Sequence, residues 1–319
     1  LKLSSAGLPV KKFFKSSYDR RLLKDNVELY IIMLPVLIQI FIFSYIPLFG
    51  IVIAFQDYYP GKPFLSFDGS TKWVGLKHFI DFVQSPMFGR LLGNTLWLNF
   101  LNLLFGFSIP VIFALLVNEI KYGKLKKFVQ TASYMPQFIS AVVVAGIVLS
   151  FVNSEGILNV FLGLFGIPPK AYNADPAAFP LIYTITWTWK SFGWGSILYL
   201  STISSIDTEQ YEAAKVDGAN RFQRMLHITL PNMMNLILIQ LIFQIGTLLS
   251  SNTEMILLLY NPATYSTADI FGTYVYRYGL LGGYFSYGTA VNIFISSMNL
   301  ILLIIANKIS TKVADFGLW

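Results

Sequence analysis

Six apolar runs, each about as long as a bilayer is thick, leave this chain few ways to fold. They cover roughly residues 29–55, 91–117, 135–152, 179–204, 232–252 and 286–307. Crossing hydrocarbon takes about 20 mostly apolar residues when the backbone is helical, and a helix satisfies its own N–H and C=O groups there. Composition agrees. Of the 319 residues, 55% are hydrophobic and 12% charged, about half the charged share of a soluble domain. The expected fold class is all-α: a polytopic membrane protein of six transmembrane helices. A further apolar piece, 157–167, is too short to cross and stops at Pro168-Pro169. It reads as an interfacial or re-entrant helix. Pro35, Pro47, Pro110 and Pro231 fall inside or at the start of runs, which membrane helices tolerate when the freed carbonyls find partners.

The net charge of +7 is distributed by side, not gathered into a nucleic-acid patch. With six spans both termini share a side. The segments on that side carry sixteen of the Lys and Arg residues against six on the other, with Lys190 inside the fourth run. Positive charge accumulates on the cytoplasmic side, so both termini and the loop 207–231 are expected there. Residues 1–28, with Lys11, Lys12, Lys15, Arg20, Arg21 and Lys24, read as a basic cytoplasmic segment. The first run is too long for the core of a secretory signal, so it reads as an uncleaved span. Residues 29–307 form the six-helix unit and 308–319 a cytoplasmic tail. Cysteine is absent, which excludes disulfides and thiolate metal sites.

Between the fourth and fifth runs lies a polar island with six charged residues from Glu209 to Arg224. It cannot sit in hydrocarbon and has to be built outside it. Asp207 with Gln210 fits a capping box that would start a short helix. Gly218 falls where a helix end needs positive φ. Asn220 with Gln223 fits a second capping box. Phe222, Met225 and Leu226, at i, i+3 and i+4, would give the second helix one apolar face. Pro231 suits the first turn of the fifth span. The expected product is a cytoplasmic helix-turn-helix.

The order Glu212-Ala213-Ala214, then Asp217-Gly218, closed by Ile228-Thr229-Leu230-Pro231, resembles the coupling loop of bacterial ABC importer permeases. Tyr45-Ile46-Pro47, the stretch from Gly50 to Tyr58, Trp73-Val74-Gly75-Leu76, Tyr276 to Gly279 and Gly317-Leu318-Trp319 carry the likeness over nearly the whole chain. The chain is similar to permease subunits of the maltose-type carbohydrate importers, in the branch that handles complex oligosaccharides, including importers of alginate fragments. Met225 departs from the aromatic residue common there. The resemblance implies that Glu212, Ala213, Ala214, Asp217 and Gly218 form an ATPase-docking helix. It also implies a second homologous permease subunit, two ATPase subunits holding ATP and Mg, and an extracytoplasmic solute-binding protein. The expected function is passage of an oligosaccharide through the bacterial inner membrane by ATP-driven alternating access, with acidic chains such as alginate fragments among the candidates. The chain would hold no cofactor and catalyse no reaction of its own.

Four spans carry polar residues at helical spacing. The second has Thr95, Asn99, Asn102 and Gly106; the fourth Trp187, Lys190 and Trp194, with Ser191 beside them. The fifth has Gln240, Gln244, Thr247 and Ser251, and the sixth Asn292, Ser296 and Asn299. A polar stripe on a membrane helix faces other helices or water. Two uses need the same side chains: hydrogen bonds between helices, or a hydrated sugar path with aromatic rings for stacking. The fifth-span stripe is the first choice for the path, with Asn99, Trp187, Lys190, Trp194 and Asn292 as further members. Lys190 either pairs with a carbonyl or a carboxylate such as Glu254, or snorkels, or meets an acidic sugar.

Other chemistry is sparse. There is no G-x-x-x-x-G-K-[ST] phosphate loop. His78 and His227 lie in loops on opposite sides, Gly282-Gly283 reads as a turn, and Asp57 and Asp68 do not form an acid–base pair. A secondary transporter would need intramembrane carboxylates, and a lipid-linked transferase would need clustered acids or histidines in a loop. A plain membrane anchor would not need polar stripes.

Overall fold

The computed structural model describes residues 26–61 and 71–319. The basic residues up to Lys24, and Asp68, lie outside the described residues. The described part is helical apart from loops and a single antiparallel bridge between Gln56 and Trp73.

Five helical stretches are long and apolar enough to cross a membrane. They are α1 (Val27–Phe55), α3 (Phe88–Asn118), the pair α5 (Ala141–Val152) and α6 (Ile157–Gly163), α9 (Arg221–Gly246) and α13 (Phe285–Ala314). Short helices join them: α2 (Lys77–Val83), α4 (Gly123–Phe138), α8 (Thr208–Val216), α10 (Thr253–Leu259), α11 (Tyr265–Ala268) and α12 (Phe271–Tyr274). The expected fourth span is the 26-residue helix α7 (Phe179–Ser204). It is long enough, but Thr184, Thr186, Thr188, Lys190 and Ser196 dilute its apolar character, and all five are buried. Five stretches therefore meet both conditions where the sequence suggested six.

Three spans differ from their expected limits, each for a local reason. The third does not begin at 135. Helix α4 runs through Pro136 to Phe138, Ile139 is extended, and the Ser140 side chain caps α5 by accepting from the Val143 N–H. The fifth ends at Gly246 instead of 252. Asn299 of α13 accepts from the Leu249 N–H at 3.0 Å and donates to Ser250 Oγ at 2.7 Å, so the chain turns there. A Cβ at Gly246 would meet Leu303 Cδ1 at 2.6 Å, so glycine lets α9 close on α13 at this end. The last helix runs on to Ala314. Beyond it the tail folds back, with Asn307 Oδ1 accepting from the Leu318 N–H at 2.7 Å.

Three of the internal prolines come just after a widened helical turn. Phe41–Tyr45 precedes Pro47, Asn102–Phe107 precedes Pro110, and Met225–Thr229 precedes Pro231, all with π-type bonding. Proline cannot donate to the carbonyl four residues back. The i→i+5 bonds from the Ile46 N–H to Phe41 O and from the Leu230 N–H to Met225 O end one residue before the proline and change the helical register as the chain approaches it.

Three apolar clusters hold the bundle. Leu98, Tyr183, Met255 and Ile256 join α3, α7 and α10. Phe82, Leu91, Phe271 and Val291 join α2, α3, α12 and α13. Val111, Ala114, Tyr199, Ile203 and Met233 join α3, α7 and α9 near the 207–231 loop. At the far end of α3, fully buried Asp269 receives Arg277 through both carboxylate oxygens, at 3.2 and 2.7 Å, and the Thr273 hydroxyl at 2.7 Å. The first part of α1 is exposed along its length. An apolar helix with no internal packing partner presents its side chains to lipid or to another subunit.

Candidate functional site

The loop 207–231 is built as a rigid hairpin. Asp207 Oδ1 accepts from the Glu209 N–H at 3.0 Å and starts α8. The expected capping box is not closed, because Gln210 Oε1 instead accepts from Asn232 Nδ2 at 3.1 Å. Acidic Glu209 in the first turn and Lys215 in the last suit the helix dipole. The helix stops in a left-handed cap. Gly218 has φ +79°, its N–H donates to Lys215 O, and the Ala219 N–H reaches back to Ala214 O at 2.9 Å. This pair of bonds satisfies carbonyls the helix end would leave open. The second capping box, Asn220 with Gln223, is present at 2.8 and 2.9 Å.

The second arm of the hairpin is not a separate short helix. From Arg221 the chain is helical without interruption to Gly246, through the widened turn at Met225–Thr229. Pro231 is thus inside a continuous rod of 26 residues, about 39 Å long at 1.5 Å per residue. The Tyr211 hydroxyl hydrogen-bonds buried Thr229 Oγ1 at 2.9 Å, and Gln210 holds Asn232, so α8 is tied to the base of the rod twice.

The single apolar face expected from Phe222, Met225 and Leu226 is divided between the inside and the outside. Met225 turns inward against the Val111–Met233 cluster, while Phe222 (62% exposed) and Leu226 face out. The departure at Met225 is therefore a matter of core packing. Val216 is 88% exposed, Glu212 and Ala213 are exposed, and Ala214 is half-buried. A cleft of about 340 Å³ beside them is lined by Ala214, Asp217, Gly218, Gln223 and His227. An exposed apolar tip flanked by charge, on a rigid base, is suited to seating in a partner's groove.

The polar stripes separate into two groups. A cavity of about 310 Å³ gathers Trp187, Ser191 and Trp194 of α7, Gln240 and Gln244 of α9, Asn102 of α3 and Gln137 of α4. Thus Trp187, Trp194, Gln240 and Gln244 are brought together. Asn99, Thr247 and Ser251 are not at this cavity. Asn99 Nδ2 donates to Thr95 O at 2.9 Å and to Ser251 Oγ at 2.5 Å, a tie between α3 and the segment after α9. Thr247 donates to Phe243 O and Gln244 O, because the helix has ended and the stripe with it. Asn292 lines a separate hollow with Tyr276, Gly279 and Gly288.

Lys190 is buried, 7% exposed, and turned from the cavity. Its ammonium donates to the carbonyls of Pro136 (3.3 Å), Gln137 (2.9 Å) and Ile139 (2.7 Å). The geometry is that of the reading in which it meets carbonyls, and Glu254 is exposed elsewhere. Sequence reasoning missed Gln137, Tyr211 and Asn232. Only Gln137 had a visible signal, a lone amide beside Pro136 in an apolar stretch.

Residues 111–315 match the family described as "Binding-protein-dependent transport system inner membrane component". The chain belongs to this family. It is 42% identical over 312 residues to the polygalacturonan/rhamnogalacturonan transport system permease protein YteP of Bacillus subtilis (strain 168), covering 96% of this chain and 95% of that one. Protein LplB of the same organism is 41% identical, covering 93% and 92%. Among solved structures, a bacterial ABC transporter involved in the import of the acidic polysaccharide alginate superposes with a TM-score of 0.83 at 38% identity. That match covers 93% of this chain and 99% of that one. The chain is therefore an inner-membrane transport permease, a class of proteins that carry solutes and catalyse no reaction of their own.

Proposed function

We propose that this chain is one of two permease subunits of an ATP-driven importer for oligosaccharides. One observation carries the reading: the coupling hairpin and the cavity wall share a single rod. Gly218 and Glu212 sit beside one end of α9, and Gln240 and Gln244 line the cavity near the other. A displacement of the hairpin by a partner moves the cavity wall with it, because the rod is helical throughout.

That lever organises the rest of the reading. Two ATPase subunits, which bind ATP and Mg, grip the hairpin through the exposed face of Val216 and Phe222 and the charge of Glu212. A second, homologous permease closes the cavity. An extracytoplasmic binding protein delivers the sugar to the opposite face, and closure of the ATPase pair rotates the cavity from one side to the other. Both termini and the hairpin lie in the cytoplasm, as the Lys and Arg distribution supports. The sugar class rests on relatives that carry polygalacturonan, rhamnogalacturonan and alginate.

The test is capture of the ATPase. Cysteines placed at Val216 and Phe222 should cross-link to an ATP-hydrolysing subunit in membranes. Co-purification of that subunit should be lost in Glu212→Lys and Gly218→Pro. Retention of the ATPase by both variants, with no cross-link at either cysteine, refutes the lever.

A further inference from the structure

The cavity that gathers the tryptophans and glutamines has a feature that the importer reading, on which this inference rests, does not supply. Among the described residues no ionised side chain lines it. Lys190 would be the natural cation for an acidic sugar, yet its three donor positions are spent on Pro136, Gln137 and Ile139. An ammonium has three N–H bonds to give, so nothing is left for a ligand.

The groups Lys190 holds belong to the joint between α4 and α5. Helix α4 ends at Phe138 and α5 starts after Ser140, so the last carbonyls of α4 have no partners in their own helix. One turn further along α7, Gly193 lies against the Ser133 carbonyl so closely that a Cβ would collide with it. Lys190 and Gly193 together seat the end of α4 on α7. The residue positioned by that seat is Gln137. Its backbone carbonyl is held by Lys190, the residue is part of the cavity lining, and its side-chain Oε1 is buried with no hydrogen-bond partner. Whichever way the amide is turned, one of its two polar atoms is buried without a partner, next to a cavity that Trp187 and Trp194 also line.

We infer that Gln137 is a substrate-contacting residue that bonds sugar hydroxyls, and that Lys190 is its positioning residue, not a reader of charge. A buried amide without a partner is costly when the site is empty. A hydroxyl, which both donates and accepts, matches it in either orientation. A carboxylate would lose its water with no cation to replace it. At about 310 Å³ the cavity is at the small end of the range for ligand sites, roughly 300–1,000 Å³. It fits a short stretch of sugar rings with aromatic faces and amides around them. The carboxylates of an acidic oligosaccharide are therefore met away from this wall, and selection for acid is made elsewhere in the importer.

The experiment uses the assembled importer in proteoliposomes, with its binding protein loaded with one of two sugars. One is a uronate oligosaccharide, the other the same chain with its carboxyl groups reduced to alcohols. Loss of one neutral hydrogen bond should lower uptake per ATP about three- to tenfold in Gln137→Leu, equally for both sugars. Gln137→Glu should penalise the uronate more than the reduced chain. Lys190→Met should reproduce Gln137→Leu, Lys190→Arg should restore uptake, and the double variant Gln137→Leu/Lys190→Met should be no worse than the poorer single one. Unchanged uptake in Gln137→Leu overturns the inference, as does a loss in Lys190→Met confined to the uronate. A wild-type complex that retains its ATPase and binding protein but takes up neither sugar overturns the importer reading itself.

Discussion

Gly218 offers a way to separate backbone conformation from crowding in the 207–231 hairpin. Its φ of +79° is left-handed, and a Cβ built there meets nothing within 4 Å. Space is therefore not the issue, and the cost of a side chain is the backbone cost alone. For an L-residue that is about 1–2 kcal/mol, enough to lower the population of the closed hairpin about five- to thirtyfold. Asparagine tolerates this region better than alanine, and a β-branched residue worse. Proline is worst: it cannot adopt positive φ, and it removes the N–H that donates to Lys215 O at 3.1 Å. The expected order of sugar taken up per ATP is Gly, Asn, Ala, Val, Pro, with co-purified ATPase falling in the same order. The assay is reconstituted uptake with ATP hydrolysis measured in parallel. Full coupling in Gly218→Val refutes the argument. So does Asn behaving as badly as Val, since that would show that the partner rejects any side chain and the φ value is incidental.

Three further outcomes are expected. Gly193→Ala should destabilise the purified protein by about 1–3 kcal/mol or more, because the methyl group would overlap the Ser133 carbonyl; thermal melting in detergent reads this, and an unchanged melt refutes the close contact. Arg277→Met should cost at most about 3–5 kcal/mol by leaving buried Asp269 without its two-pronged partner, and Arg277→Lys should recover only part of it; equal melts for all three refute the pairing. In the loop before α7, the hydrogen bond from Lys170, with a second from the Ala177 N–H, holds the Asp175 carboxyl below its usual range. A depressed carboxyl stabilises at pH above its unfolded value and loses this as pH falls through its folded value. Asp175→Asn should therefore flatten the acid side of a melting-temperature profile, and an unaltered acid limb would count against the bond.

Much of the hairpin was legible because its signals are local. Asp207, Gly218, Asn220 and Gln223 act on backbone groups within three or four residues, and the structure uses all four at or beside the expected place. Gln210 did not close its box because Asn232, 22 residues away, offered a better partner. Met225 likewise parted from Phe222 and Leu226 because it packs against the α3–α7–α9 cluster. Neither outcome can be reached from spacing along the chain.

The amino-acid sequence alone determined the helical class, the approximate position of the spans, the sided distribution of charge and the hairpin at 207–231. Those properties depend on transfer of side chains into hydrocarbon and on short-range backbone bonding, both functions of neighbouring residues. Only the tertiary structure decided where the spans break, which glutamines share a cavity with Trp187 and Trp194, and that Lys190 is saturated by three carbonyls. Those depend on which helices meet, and a polar side chain in a membrane takes whichever distant group the packing brings within hydrogen-bond reach.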